Sequence, residues 1–170
     1  MAKLAESIVQ EWLNRLGFFS IQGVKEGVHE IDLLAVRPES DGAITGWHVE
    51  AQVSFRPVAY IAGPTNAKRR SPQEMEERVN DWVRKKYLAG NKEALRRHLW
   101  QSANWQFHFV HGVVRYPAEL DLIRARGIAL HSFEEVLSHL CDQAERRFVG
   151  SAGGDLAEIV DFYQRIKRAL

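Results

Sequence analysis

Apolar and polar positions change their period along the first third of the chain. Residues 3–16 repeat apolar side chains at helical spacing, with Leu4, Ile8, Leu13 and Leu16 near one face and Val9 and Trp12 widening it. Gly17 follows, where a helix is well terminated by a left-handed residue. After it the pattern predicts strands near 18–24, 30–37 and 46–55. Pro38-Glu39-Ser40-Asp41-Gly42 supplies turn chemistry between the last two, so these strands are expected to be adjacent and antiparallel.

The rest of the chain alternates helix and strand. Residues 56–72 carry Pro57, Pro64 and Pro72 and read as a loop or partly ordered excursion. Ser71-Pro72-Gln73-Glu74 reads as a helix start, with Ser71 as cap, Pro72 in the first turn and Glu74 closing a capping box. That helix is expected to reach Tyr87 or Leu88, with Gly90 stopping it and a second helical piece over 91–102. Trp105–Val114 is apolar on both faces, which suits a central, covered strand. Pro117–Arg126 reads as a short helix closed by Gly127. Ile128–His131 reads as a strand, and 133–147 as a helix capped by Ser132 with Glu135. Gly150-Ser151-Ala152-Gly153-Gly154 reads as a flexible link. A last amphipathic helix is expected over 156–170, with Leu156, Ile159, Val160, Tyr163, Ile166 and Leu170 on one face. The order implies an α/β fold, a mixed sheet between helices. Residues 1–149 form its domain, and 150–170 pack on that domain or on a partner.

Two of the strands carry an acid where a buried sheet should carry none. Asp32 is followed by Leu33-Leu34-Ala35-Val36, and Glu50 lies between Val49 and Ala51. A buried ionised carboxylate is costly unless cations or hydrogen bonds compensate it. By the period of two, His48, Glu50, Gln52 and Ser54 share one strand face, and Val49, Ala51 and Val53 share the other. Asp32 is expected on the face of Glu50, and the pair suggests one shared cation. A hard ion such as Mg2+ accepts carboxylates, waters and a carbonyl, here that of Ala51. Asp32 also admits a plainer role, capping a turn or pairing with Arg37. Glu6, in a helix first turn, also suits the helix dipole alone.

Three segments carry a resemblance. The first is the helix Glu6-Ser7-Ile8-Val9-Gln10-Glu11-Trp12-Leu13-Asn14-Arg15-Leu16-Gly17-Phe18. The second is Glu30-Ile31-Asp32-Leu33-Leu34, with His29 where glycine is usual. The third is Val49-Glu50-Ala51-Gln52, with Gln52 where lysine is usual. In this order residues 4–54 resemble the PD-(D/E)XK nuclease superfamily, most of all its Holliday-junction-resolvase-like and Mrr-like branches. The resemblance implies a restriction-endonuclease-like αβββαβ core and metal-dependent cleavage of DNA in repair, junction processing or defence. It implies a catalytic set of Glu6, Asp32, Glu50 and Gln52. It also implies Mg2+, with Mn2+ as a substitute, held by Asp32, Glu50 and Ala51. Gln52 is neutral and cannot offset phosphate charge as lysine does, but its amide can hold a water. A lysine from elsewhere can take over, with Lys85 and Lys86 as candidates, although each also reads as a solvated surface residue.

Composition narrows the partners. The chain of 170 residues carries a net charge of only +1, so any nucleic-acid affinity must come from local patches. The candidates are Lys68, Arg69 and Arg70 in the proline-bounded loop and Lys85 and Lys86 on the helix after it, although helix C-termini attract cations anyway. A single cysteine, Cys141, excludes an internal disulfide and a cysteine-based zinc cluster. The histidines lack zinc spacing, and no GxSxG elbow, Walker loop or dinucleotide fingerprint is present. The start lacks a signal-peptide core and no run is long enough to span a bilayer, so a cytoplasmic protein is expected. Two alternatives stand beside the nuclease. One is a weakened relative that binds nucleic acid or a protein partner without cutting. The other is a structural domain that dimerises through the final helix.

Overall fold

The computed structural model describes residues 2–26, 29–54, 56, 59–63, 69–142, 155 and 159. The expected link over 150–154, the helix over 156–170 (Ile159 apart), the reach of the preceding helix to 147 and Lys68 lie outside the described residues. The chain opens with helix α1 (Ala2–Arg15), followed by strands β1 (Phe19–Glu26), β2 (His29–Pro38) and β3 (Ile44–Gln52). Helix α2 (Pro72–Val83) runs into a single π turn (Arg84–Leu88) and then α3 (Gly90–Leu99). Strand β4 (Asn104–His111), helix α4 (Pro117–Arg124), strand β5 (Ile128–Ser132) and helix α5 (Phe133–Asp142) complete the described elements. They build an α/β fold around one five-stranded mixed sheet of order β1-β2-β3-β4-β5. The β1–β2 and β2–β3 pairs are antiparallel, as expected for the hairpin, and β3–β4 and β4–β5 are parallel.

The α1 pattern places Ala5, Ile8, Val9, Trp12 and Leu13 against Leu33, Ala35 and Val49, and α5 adds Val136 and Leu140 to the same layer. Leu4, expected inward, is 42% exposed, and Ala5 takes the inward place one residue later. Gly17 ends α1 at φ +85°, a conformation that costs glycine little. On the other face, Val79, Val83 and Tyr87 from α2 and the π turn pack with Ile123 of α4 on Phe109 and Ile128. Buried side chains of this kind each contribute roughly 1.5–3 kcal/mol.

The link from β3 to β4 departs from expectation at one joint. Ser71 and Glu74 form the expected capping box, with Ser71 accepting the Glu74 N–H and Glu74 accepting that of Ser71. Gly90 does not stop the helical run. Ala89 does, with extended backbone at φ −61° and ψ 139°, and Gly90 opens α3. The loop before α2 is tied down on its described part. Ile61 and Ala62 donate their N–H groups to the buried Glu119 carboxylate at 2.7 and 2.8 Å.

Candidate active site

The cross-strand register lays the site out in rows. Ile21, Leu34, His48, Phe107 and Ile128 follow one another across the five strands. His48 is thus one polar group in an apolar row. The β2–β3 ladder ends at Leu33–Val49, and one step further its register sets Asp32 against Glu50. There the Ala51 N–H turns to the Asp32 carboxylate at 2.9 Å. A strand residue points its N–H and C=O to the same side, so the Ala51 carbonyl also points towards the β2 side, where Asp32 lies.

The helical crossover covers this row with cations. Lys86, in the π turn, places Nζ 2.5 Å from Glu50 Oε2. Lys92, on α3, places Nζ 3.4 Å from Glu50 Oε1 and also donates to the Glu30 carbonyl. His48 Nε2 lies 3.1 Å from Glu50 Oε1, and Arg96 Nη1 lies 2.9 Å from His48 Nδ1. Glu50 is 1% exposed, so these neighbours provide the compensation that a buried carboxylate requires. Tyr87 closes the wall by donating its hydroxyl to the His108 carbonyl at 2.8 Å.

The charges shift the titrating groups in different directions. Burial, then the charge of Glu50, pushes Asp32 up to about 6, against the opposing pull of Lys86 and the Ala51 N–H. Burial alone would lower Lys86, but Glu50 and Asp32 outweigh it and raise the ammonium above its usual value. Burial, then Arg96, Lys92 and Lys86, holds His48 well below the usual histidine range, so its ring is neutral at physiological pH. Burial and then both acids push the Tyr87 hydroxyl well above its usual value.

The expected site residues separate into groups. Asp32, Glu50 and Ala51 come together, and Gln52 is half-buried beside them on the Glu50 strand, its carbonyl accepting the Gly112 N–H. Glu6 does not join them. Gln22 donates to it at 3.1 Å, and Gln22 pairs with Leu33 on the sheet face that α1 covers, opposite to Asp32. Of the two candidate lysines, Lys86 reaches the acids and Lys85 is exposed. Arg70, expected among the exposed basic residues, is turned inward instead. Its side chain is 6% exposed, donates to the Ala62 carbonyl at 2.5 Å and stacks 3.9 Å from the Tyr60 ring. Arg69 is exposed at a cleft of about 700 Å³ beside Tyr60, Tyr116 and the start of α2. Arg37, the alternative partner of Asp32, pairs with Glu39 instead.

Sequence reading did not place Lys92 or Arg96 beside the acids. Both lie on the buried face of α3 one helical turn apart. The available signal was that spacing together with the neighbouring Leu95 and Leu99, which mark the inward face.

Among the described residues, no group of three or more His, Cys, Asp or Glu side chains converges to cage a metal. Mg2+ needs no such cage, because it binds through one or two carboxylates and keeps several waters. Asp32, Glu50 and the Ala51 carbonyl fit that requirement. Lys86, with a 38% exposed side chain, is the most exposed of the three partners of Glu50.

No family model matches the chain, and no curated protein matches it. A solved structure of a protein of unknown function, AF1548, is similar, with a TM-score of 0.51 and 16% identity. The match covers 81% of this chain and 66% of that one. At this identity the likeness bears on the fold alone. No helix among the described residues is long and apolar enough to cross a membrane.

Proposed function

We propose that the chain is a metal-dependent endonuclease of the PD-(D/E)XK type, acting on DNA phosphodiester bonds in the cytoplasm. Repair, junction processing and defence are the roles this activity would serve. The observation that carries the reading is the facing pair Asp32 and Glu50 at the open end of the β2–β3 ladder, with Lys86 held on Glu50.

The donor set fits Mg2+, with Mn2+ as a substitute, held by Asp32, Glu50 and the Ala51 carbonyl. Such an ion, when bound, supplies a more acidic water and neutralises phosphate charge. The chain's own groups supply the rest. Lys86 stays protonated at neutral pH and stands where it can offset charge on the scissile phosphate, the task that Gln52 cannot perform. The Gln52 amide orients the attacking water. Arg69 and Lys85, both exposed, suit contacts to flanking phosphates.

A second reading is supported by the occupancy of Glu50. Both its oxygens already have partners in Lys86, Lys92 and His48, as in a relative that binds nucleic acid or protein without cutting. A homodimer is compatible with either reading, and sedimentation equilibrium tests it.

Cleavage of supercoiled plasmid, single-stranded DNA and a branched duplex in Mg2+ or Mn2+ tests the proposal. Cleavage is expected from the wild type and is expected to vanish with EDTA, in Asp32→Ala and in Lys86→Met. Gln52→Lys in the Lys86→Met background should restore part of it. A wild type silent on every substrate with both metals would transfer the reading to the binding protein.

A further inference from the structure

We propose that Arg96 and His48 are positioning residues, a relay that fixes the Glu50 carboxylate so that Oε2 faces the mouth of the site. The consequence for metal binding rests on the nuclease reading, while the relay's geometry stands without it.

Arg96 can only donate hydrogen bonds. Its Nη1 lies 2.9 Å from His48 Nδ1 and 2.8 Å from the Tyr87 carbonyl. His48 Nδ1 must therefore present its lone pair, and the imidazole proton sits on Nε2. That nitrogen lies 3.1 Å from Glu50 Oε1 and donates to it. The donor sequence runs from α3 through β3 and ends on one carboxylate oxygen. Lys92 joins at the same oxygen, 3.4 Å away.

Burial separates the two oxygens of Glu50. The partners of Oε1 are inside, His48 at 0% and Lys92 at 4% exposed, and so is Arg96 behind His48, at 6%. The partner of Oε2 is Lys86, whose side chain is 38% exposed. One oxygen is held by a closed network and the other by a group that solvent reaches. The network is also braced by packing. The Tyr87 ring lies 4.8 Å from the His48 ring, and the Arg96 guanidinium lies 5.1 Å from the Phe107 ring. A ligand oriented in this way binds its ion without first losing rotamer freedom, which is how outer-shell partners tune metal sites.

The test uses metal-free protein labelled with 15N-histidine, with the His48 signals assigned by their loss in His48→Gln. NMR is expected to find the His48 proton on Nε2 in the wild type. Arg96→Met should populate the Nδ1–H tautomer and weaken Mn2+ binding, read by calorimetry, about 10–100-fold. His48→Gln, whose amide can still donate to Glu50, should keep most of the wild-type affinity. A wild-type proton on Nδ1 would overturn the relay, and that reading needs no variant to fold. An Arg96→Met protein with unchanged tautomer and Mn2+ affinity would overturn it too. A wild type that binds no Mn2+ would instead defeat the metal reading, and the tautomer alone would then decide the relay.

Discussion

Replacing Asp32 by Asn should stabilise the metal-free protein. The two acids on neighbouring strands are imperfectly compensated, and Asp32 carries the cost. Burial and Glu50 outweigh Lys86 and the Ala51 N–H, raising its pKa from 3.8 to about 6. The rise corresponds to about 3 kcal/mol of lost stability when the group is ionised in the fold. Asn has the same shape, keeps an oxygen for the Ala51 N–H and offers Glu50 a donor instead of a second charge. The folded state binds a proton more tightly than the unfolded one. Wild-type stability therefore rises, on this account, as pH falls from about 6 towards 3.8, and the benefit is absent well above 6. Urea denaturation in EDTA should find Asp32→Asn more stable by about 3 kcal/mol near pH 8, with the difference shrinking towards zero near pH 4. Excess Mg2+ should stabilise the wild type and not the variant. A variant less stable than wild type at pH 8, or a difference independent of pH, would refute the account of the acid pair.

Further expectations concern single contacts. Lys86→Met should raise Asp32 above about 6, because Lys86 is one of the groups holding it down, and carboxyl 13C titration in EDTA reads this directly. Glu119→Ala should cost about 1–3 kcal/mol for each of the Ile61 and Ala62 N–H groups left unpaired, whereas Glu119→Gln, which keeps an acceptor, should cost less. Gly112→Ala should destabilise by about 1–3 kcal/mol, since its Cβ would collide with the Ser54 backbone carbonyl oxygen. Thermal melts that leave either variant at the wild-type midpoint would contradict these contacts.

The backbone and the acids were legible in the sequence because both follow short-range rules. Asp32 and Glu50 stand out by being charged in period-two apolar runs, and the turn after Pro38 fixes their strands as neighbours. The capping boxes at Ser71–Glu74 and Ser132–Glu135 are local chemistry and form as read. What stayed hidden depends on partners distant in sequence. Lys92 and Arg96 look like solvent-facing charges until Glu50 and His48 are set beneath them. Arg70 looks like part of an exposed basic triplet until Tyr60 and Glu119 enclose it. Glu119 looks like an ordinary first-turn acid, and only the folded loop supplies its two donors. The α1 pattern misplaced Leu4 because a helix end can trade one inward residue for its neighbour. Periodicity also could not register the π turn, whose extra residue resets the phase between Val83 and Ala89.

The segregation of charge along the chain bears on how the molecule folds. The acids belong to the hairpin of β2 and β3, and their cations belong to the later stretch from Lys86 to Arg96. The hairpin is local and closes quickly, whereas β3–β4 pairing must wait for the whole crossover to be laid down. A chain with β2 and β3 paired and the crossover not yet docked would hold the two carboxylates side by side without these cations. Docking of the crossover then brings Lys86, Lys92 and Arg96 onto that face in one step. Raised salt, which shortens the screening length from about 8–10 Å at ordinary ionic strength to about 3 Å at 1 M, should slow that docking more than it slows hairpin closure. The polar cluster would act as a late checkpoint on the sheet's assembly, separating chains that have placed the crossover from those that have only paired the hairpin.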